Sequence, residues 1–325
     1  MECLDIDNGK HLIPSFVEFK AGRDPVVGYA AKRRVGSNKA SVVFNAKRLI
    51  GRGFSSEEVQ QNLENCGCPV ENRGGSPAFY LESVDSYVTP VDVATEVLKK
   101  IISEAEKRAE CEVSELCVTI PANFDENQRS ATLRAAINCG ISEEHIIILN
   151  EPTAAALCYG FENEAKDEYI LVYDLGGGTF DVTILKISED RDEVLGYSGD
   201  SHCGGVDLDR IMASLIQERL ADQNIDFTIP RNQEKVRDAA EQAKIMLSSL
   251  KEVDIGDCYD GITGGITITR NEFEGRCMSI FNKTITMVTK LMQELNLSPD
   301  KIDKVVLIGG SSKIPIIYER LGKIF

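Results

Sequence analysis

The chain has 325 residues, 42% of them hydrophobic, and is long enough to bury a large core and to form more than one domain. Its formal net charge of −16 argues against nucleic acid as a partner, because phosphate backbones are bound by positive surfaces. It opens without the basic and apolar stretch of a signal peptide, and its apolar runs are too short to span a membrane. We therefore predict a globular, cytoplasmic protein with neither nucleic acid nor membrane as a partner.

Ten cysteines follow no regular framework spacing, which is typical of reduced thiols. Cys66 and Cys68 form the one close pair. A single pair without a matching second pair is weak support for a metal site, so we predict two free thiols in a loop. That loop, residues 62–76, is the longest one predicted.

Helix and strand patterns alternate along the chain, which predicts an α/β fold. Thr89 and Pro90 suit the N-cap and the first position of a helix, and Asp125 with Gln128 predicts a capping box at the next one. Apolar runs predict the strands 115–120, 146–149, 169–173, 182–185 and 305–308. Helical periodicity predicts the segments 232–250 and 271–295, the second as one helix or two in succession.

The run 146–149 is continuously apolar, which predicts a strand buried on both faces. Glu151 follows its carboxyl end, and Pro152 begins a helix of small residues. A carboxylate there is well placed for ligand binding in an open α/β sheet. It is also well placed to complement the helix dipole as a solvated residue, and position alone does not separate the two.

The most informative stretch is the octet Asp-Leu-Gly-Gly-Gly-Thr-Phe-Asp, from Asp174 to Asp181, between two predicted strands. Three consecutive glycines leave backbone N–H groups open to close approach by an anion. The flanking carboxylates do not bind phosphate directly, but they hold a hydrated Mg²⁺ that does. The octet therefore predicts a metal–nucleotide phosphate site. The competing interpretation is a glycine-rich hairpin with solvated acids.

Five segments occur in a recognisable order. They are 45–52 (Asn-Ala-Lys-Arg-Leu-Ile-Gly-Arg), 150–156 (Asn-Glu-Pro-Thr-Ala-Ala-Ala), the octet 174–181, Gly204-Gly205 with Asp207 and Asp209, and 306–315 (Val-Leu-Ile-Gly-Gly-Ser-Ser-Lys-Ile-Pro). With them the whole chain resembles the nucleotide-binding domain of the seventy-kilodalton heat-shock chaperones, in the actin–hexokinase superfamily. No G-x-x-x-x-G-K-[ST] loop occurs, so a P-loop site is excluded.

The resemblance implies a two-lobed α/β fold, the actin-like or ribonuclease H-like ATPase fold, with a central nucleotide cleft. Lobe I would comprise residues 1–165, with an outer subdomain at about 18–92. Lobe II would comprise residues 166–325, with an outer subdomain at about 204–276. The implied cofactors are ATP or ADP and Mg²⁺.

The same resemblance implies individual roles. Lys47 matches a lysine that contacts the γ-phosphate and the attacking water, and its sequence context alone favours a surface lysine. Glu151 matches a carboxylate in the water shell of Mg²⁺, and Asp174 and Asp181 match the aspartates near the metal and that water. Residues that match the phosphate loop are Gly176, Gly177, Gly178 and Thr179, the last also among the catalytic set. Residues that match the adenosine-binding elements are Gly204, Gly205, Glu241, Lys244, Ser248, Gly309, Gly310, Ser311 and Lys313.

Three departures from the family bear on activity. The family opens with a strand and a first phosphate loop, Asp-Leu-Gly-Thr-Thr, whereas this sequence starts at Met1 where the next strand begins. It also ends at Phe325, before the family's last helix, linker and peptide-binding domain. We expect loss of the first loop to weaken phosphate binding and to misplace the metal. Ile245 stands where many members carry an arginine that stacks on adenine, a cation–π interaction of roughly 0.5–2 kcal/mol.

Two functions are consistent with this sequence. The first is an ATP-binding and ATP-hydrolysing domain of a heat-shock-type chaperone, which regulates protein folding and client peptide binding by a module absent here. Its implied partners are co-chaperones and nucleotide-exchange factors. The alternative is a catalytically impaired fragment of the same family that binds nucleotide or co-chaperones. An incomplete gene model, a splice form or a degenerate paralogue would each explain why the sequence lacks the family's first and last segments.

Overall fold

The computed structural model describes residues 11–35, 41–163, 168–188, 193–200, 202–223, 225–257 and 266–325. The chain forms two compact units: Met1–Ile120 with Phe124–Leu149, and Pro121–Asn123 with Asn150–Phe325. Helices and sheets occur in both, as expected for an α/β protein. The predicted lobe boundary at residue 165, like the predicted strand start at Met1, lies outside the described residues. The lobes and their outer subdomains stay a prediction.

The first unit contains three small sheets and four helices among its described residues. In chain order its elements are β1 (Val17–Lys20), β2 (Arg23–Val27), α1 (Tyr29–Lys32), β3 (Val42–Val43), α2 (Glu57–Asn62), β4 (Val70–Arg73), β5 (Ser76–Leu81), β6 (Ser86–Val88), α3 (Pro90–Ala109), β7 (Leu116–Ile120), α4 (Glu126–Ile137) and β8 (Ile146–Asn150). The strand orders are β2-β1-β3, β4-β5-β6 and β7-β8. Both predicted helix starts are confirmed: Thr89 and Asp125 each form a capping box with the residue three positions later.

Two predictions for this unit are wrong. The segment 62–76 contains β4 and the start of β5, because Gly74 and Gly75 both take positive φ and turn the chain into a hairpin. β4 is mostly exposed, so its sequence lacks the apolar alternation that marks a strand. The strand at 146–149 is not buried on both faces, since Ile147 is 62% exposed. Within the described residues it pairs only with β7.

The second unit is built on a four-stranded sheet with helices on both faces. Its elements are α5 (Glu151–Asn163), β9 (Glu168–Leu175), β10 (Phe180–Ile187), β11 (Glu193–Asp200), α6 (Gly205–Arg219), α7 (Pro230–Leu247), β12 (Glu252–Asp254), β13 (Thr267–Thr269), α8 (Arg270–Arg276), α9 (Met278–Glu294), β14 (Lys304–Ile308) and α10 (Pro315–Leu321). In the order β11-β10-β9-β14, the first two pairings are antiparallel and the last is parallel. The predicted strands 169–173, 182–185 and 305–308 are thereby confirmed.

Alternate residues of β9 and β10 pack into two separate cores. Tyr173 and Val182 point into the large core made with α6 to α10, and Val172 and Leu185 point into a smaller one that includes Ala155 of α5. A strand that is buried on both faces has a nearly continuous apolar sequence. For this reason β9 and β10 could be predicted from their apolar runs. The segment 271–295 forms two helices, divided at Cys277. No helix in the described part of the chain is long and apolar enough to cross a membrane.

The Cys-Gly-Cys pair lies in the core of the first unit. Cys66 and Cys68 are free thiols and almost fully buried, and burial raises the pKa of each to about 12. Metal ligation requires a thiolate, so protonated thiols in this environment are poor ligands. Gly67 between them has φ +82°, and a Cβ there would stand 2.3 Å from the Val42 carbonyl oxygen. The glycine is required because the backbone turns against β3.

We predict that Gly51→Ala destabilises the protein far more than Gly74→Ala. Both glycines have positive φ, but a Cβ on Gly51 would lie 2.5 Å from the Gln128 Cα in α4, whereas nothing lies within 4 Å at Gly74. We expect a loss of about 1 kcal/mol in the free energy of unfolding for Gly74→Ala, from backbone strain alone. Gly51→Ala should lose more than about 3 kcal/mol. Equal losses in urea unfolding would contradict close packing of α4 on Gly51.

We also predict that the free energy of unfolding falls as pH rises above about 9, partly through Cys66 and Cys68. Their pKa is higher in the folded state than the ordinary value of 9.0. Their stabilisation is therefore complete below pH 9 and is lost as pH rises from 9 towards 12, by up to about 1.4 kcal/mol per pH unit for each thiol. The measurement is urea unfolding under reducing conditions between pH 8 and 10. Cys66→Ala with Cys68→Ala should reduce this slope, and alanine at the exposed Cys111 and Cys117 should leave it unchanged.

Candidate functional site

The β9–β10 hairpin brings the two aspartates of the octet together. Asp174 and Asp181 are direct cross-strand partners, so their side chains lie on the same face of the sheet. Residues 176–179 form the turn between them, closed by a 3.0 Å hydrogen bond from Gly176 N to Thr179 O. Asp181 is buried and Asp174 is half-buried. The predicted strand–turn–strand arrangement is confirmed, and the burial of Asp181 does not fit the solvated acids of the competing interpretation.

Two glycines on neighbouring segments leave room for these carboxylates. A Cβ on Gly199 of β11 would stand 2.4 Å from Asp181 Oδ1 and 2.8 Å from Asn123 Nδ2. A Cβ on Gly309, after β14, would stand 2.7 Å from Asp174 Oδ1 and 2.3 Å from the Leu175 carbonyl oxygen. Gly309 also has φ +82°, a conformation that other residues rarely adopt. Side chains larger than hydrogen at these two positions would displace the carboxylates.

The start of α6 packs directly on the glycine turn. Gly205 N donates to Gly176 O over 2.9 Å, and Val206 N donates to Gly177 O over 2.8 Å. A Cβ on Gly204 would lie 2.6 Å from the Gly178 carbonyl carbon, so only glycine allows this approach. The Asp207 carboxylate accepts from Gly204 N over 2.9 Å and caps the helix. Steric contact with the neighbouring segments therefore explains why glycines occupy positions 204 and 205.

A serine pair after β14 fixes a third segment to the turn. Ser311 Oγ donates to Gly176 O over 3.3 Å, and Leu175 N donates to Ser312 Oγ over 3.2 Å. Both serines are buried, whereas Gly310 and Lys313 in the same loop are exposed. The Gly176 carbonyl oxygen thus accepts from both α6 and the 309–313 loop.

Helix α7 contributes one of its three predicted residues to this region directly. Lys244 Nζ lies 2.7 Å from Asp209 Oδ1 in α6 and donates to the Gly205 carbonyl oxygen over 3.3 Å. Ser248 Oγ donates back to the Lys244 carbonyl oxygen over 3.3 Å, and Glu241 lies one turn earlier, half-buried. Ile245, next to Lys244, is 54% exposed.

Two predicted catalytic residues, Lys47 and Glu151, are described by their own elements. Lys47 belongs to the first unit, where it is exposed in a 3₁₀ turn, Ala46–Arg48, that follows Asn45 in the left-handed conformation. Glu151 is the first residue of α5 in the second unit and is half-buried. The structure therefore groups the octet, Gly204, Gly205, Lys244, Gly309 and Ser311 in one region of the second unit.

Sequence reasoning missed four residues of this region. Asn123 and Gly199 lie beside Asp181, Asp209 holds Lys244, and Ser312 binds the end of β9. Each acts through a contact with a residue distant in sequence. Only Asp209 and Ser312 stood within a recognised motif, and no spacing rule indicated what they bind.

Comparison with known proteins gives a consistent result. A family model described as "Hsp70 protein" matches residues 1–325. A "Heat shock 70 kDa protein" of Neurospora crassa is 37% identical over 331 residues, covering 100% of this chain and 51% of that protein. "Heat shock 70 kDa protein BIP3" of Oryza sativa subsp. japonica is 38% identical over 333 residues, covering 100% of this chain and 50% of that protein.

The chain spans about half the length of the curated relatives that it matches. The glycine turn, the aspartate pair and the two segments packed on them lie within the matched region. The chain therefore belongs to the Hsp70 family of heat-shock chaperones and corresponds to its nucleotide-binding domain, an α/β domain of the actin-like fold.

Proposed function

We propose that this chain binds ATP and ADP with a hydrated Mg²⁺ at the glycine turn of the second unit, and that it hydrolyses ATP. The observation that carries the proposal is the pairing of Asp174 with Asp181 beside a turn of three glycines, against which α6 and the 309–313 loop are hydrogen-bonded. Acids solvated on an ordinary hairpin would need no such packing. The proposed catalytic residues are Lys47, Glu151, Asp174, Thr179 and Asp181.

The orientation of the turn supports a role in phosphate binding. The carbonyl groups of Gly176 and Gly177 are directed at α6, where they accept hydrogen bonds. All described peptide bonds are trans, and a trans peptide points its N–H opposite to its C=O. The N–H groups of Gly177 and Gly178 are therefore directed away from α6. Consecutive backbone N–H groups on one side of a turn are a common means of binding phosphate oxygens.

The carboxylates fit a hydrated Mg²⁺ better than a cation held by protein ligands alone. The described residues contain no group of three or more His, Cys, Asp or Glu side chains placed to hold a metal. Mg²⁺ commonly keeps several waters and takes one or two carboxylates together with substrate phosphates. Gly199 and Gly309 leave room for the carboxylates of Asp181 and Asp174, which would hold such an ion through its waters. When bound, Mg²⁺ would neutralise phosphate charge.

The chemistry requires positioning more than covalent assistance. Phosphoryl transfer depends on in-line geometry and charge neutralisation, which fixed backbone amides, a lysine and carboxylates provide. We propose that Lys47 binds the terminal phosphate and that Glu151 binds metal-bound water. The proposed nucleoside-binding residues are Gly204, Gly205, Glu241, Lys244, Ser248, Gly309, Gly310, Ser311 and Lys313.

The wider role follows from the relatives, which are named as heat shock proteins of about twice this length. We propose that ATP turnover by this domain regulates protein folding by controlling client peptide binding by a further domain of a whole chaperone. We propose that its partners are co-chaperones and nucleotide-exchange factors. We also propose that it acts in the stress response and is located in the cytoplasm.

We predict that ADP with Mg²⁺ raises the melting temperature of the wild-type chain. A ligand at 100 times its Kd stabilises the folded state by about 2.7 kcal/mol. Asp174→Asn should abolish most of this shift, and Asp300→Asn, an exposed residue of a surface turn, should retain it. A chain with no shift from ADP or ATP would contradict nucleotide binding. A shift without phosphate release from ATP would contradict hydrolysis only and would favour the alternative of a nucleotide-binding fragment.

We predict that Ile245→Arg strengthens ADP binding. Ile245 is 54% exposed next to Lys244, and a guanidinium there would stack on the purine, for a gain of about 0.5–2 kcal/mol. The matched control is Ile229→Arg, which makes the same change at a residue 46% exposed at the other end of α7. Titration calorimetry should show tighter ADP binding for the first variant only. Equal gains in both would indicate a general charge effect and would contradict base stacking at this position.

A further inference from the structure

An ion pair between α6 and α7 lies at the edge of the proposed site. Lys244 Nζ is 2.7 Å from Asp209 Oδ1, and the two side chains are only 12% and 15% exposed. The helices pack on each other through buried residues such as Leu208, Met212, Ala240 and Ala243. Ion pairs with so little exposure are screened less by water and salt than surface pairs. Loss of one partner leaves the other charge largely desolvated.

The same ammonium group contacts the backbone where the site is assembled. Lys244 Nζ donates to the Gly205 carbonyl oxygen over 3.3 Å, and a Cβ on Gly205 would lie 3.1 Å from it. That Cβ would lie 2.7 Å from Ser311 Oγ, which itself donates to the Gly176 carbonyl oxygen. Lys244 therefore lies where α7, the start of α6 and the 309–313 loop meet. A shift of its ammonium group would therefore change the contacts among all three segments.

The two aspartates of the Asp207-Leu208-Asp209 segment have different contacts. Asp207 caps α6 through Gly204 N and lies 3.5 Å from Arg210. Asp209 is directed at α7 and at the interior: the buried Cys277 lies near it, and the pKa of that thiol is raised chiefly by burial and further by the Asp209 charge. Asp209 thus faces a poorly hydrated region, in which an ammonium group is its natural partner.

We infer that Asp209 is a positioning residue for nucleotide binding: its carboxylate holds the Lys244 ammonium group against the Gly205 carbonyl oxygen, on the nucleoside side of the site. This inference rests on the proposed function. Asp209 acts through Lys244, so its removal should matter only while Lys244 is present. A purely structural ion pair would lower stability without that dependence.

The test is ADP affinity with Mg²⁺, by titration calorimetry well below the melting temperature. The proteins are the wild type, Asp209→Asn, Lys244→Gln and the double variant. Asp209→Asn should weaken binding about tenfold, as expected for loss of a poorly solvated ion pair that orders a ligand contact. The double variant should bind no more weakly than Lys244→Gln alone. The control is Glu104→Gln, which breaks a 2.7 Å ion pair with Lys100 in α3 of the first unit and should bind as the wild type does.

Each other outcome is decisive. Wild-type affinity in Asp209→Asn, or single effects that multiply in the double variant, would overturn the inference. If Asp209→Asn fails to fold, Lys244→Gln decides: wild-type affinity in that variant overturns the inference because Asp209 then has no residue to act through, and a loss of at least tenfold with a retained fold supports it. Absence of ADP binding by the wild type itself would overturn the proposed function, and the inference with it.

Discussion

The arrangement of the second unit depends on one backbone atom, the carbonyl oxygen of Gly176. It accepts Gly205 N from α6 over 2.9 Å and Ser311 Oγ from the loop after β14 over 3.3 Å. Three segments that are far apart in sequence therefore meet at one peptide group. Such an approach is possible only if the meeting residues lack side chains, and a Cβ at Gly204, Gly205 or Gly309 would lie within 2.8 Å of neighbouring heavy atoms. The close packing of these segments is thus enough to require glycines at these positions, whether or not a ligand is bound.

The carboxylates follow from the same constraint. Once the hairpin is closed, Asp174 and Asp181 are opposite each other, and Gly199 and Gly309 supply the space that they occupy. Two carboxylates this close repel each other when both are ionised, which is tolerable where donors or a cation accompany them. The strands that carry them are buried on both faces, so the aspartates are held by a rigid support. A rigid support is what phosphoryl transfer requires from a protein.

The charge distribution is consistent with this interpretation. A chain with net charge −16 attracts no polyanion by its overall field, so any phosphate must be bound by local groups. The described part of the second unit has backbone amides at the turn and the ammonium group of Lys244 at its edge. Asp209 lies 2.7 Å from that ammonium group and pairs with it. In the proposed site, local dipoles and ammonium groups would take the place of a basic surface.

The sequence by itself determined the family, the α/β class, both helix starts, one of the two capping boxes and the hairpin of the octet, because each depends on residues close together in the chain. It also indicated most residues of the site, since their motifs are short and contiguous. Tertiary structure decided the rest: Gly199 and Asn123 lie beside Asp181 only after β11 has paired with β10, and Asp209 meets Lys244 only after α6 has packed on α7. It also decided that Ile147 is exposed and that 70–73 forms a strand, because burial and pairing depend on which neighbours a segment finds. Short-range patterns specify local conformation, whereas contacts between distant residues depend on packing that no local pattern records.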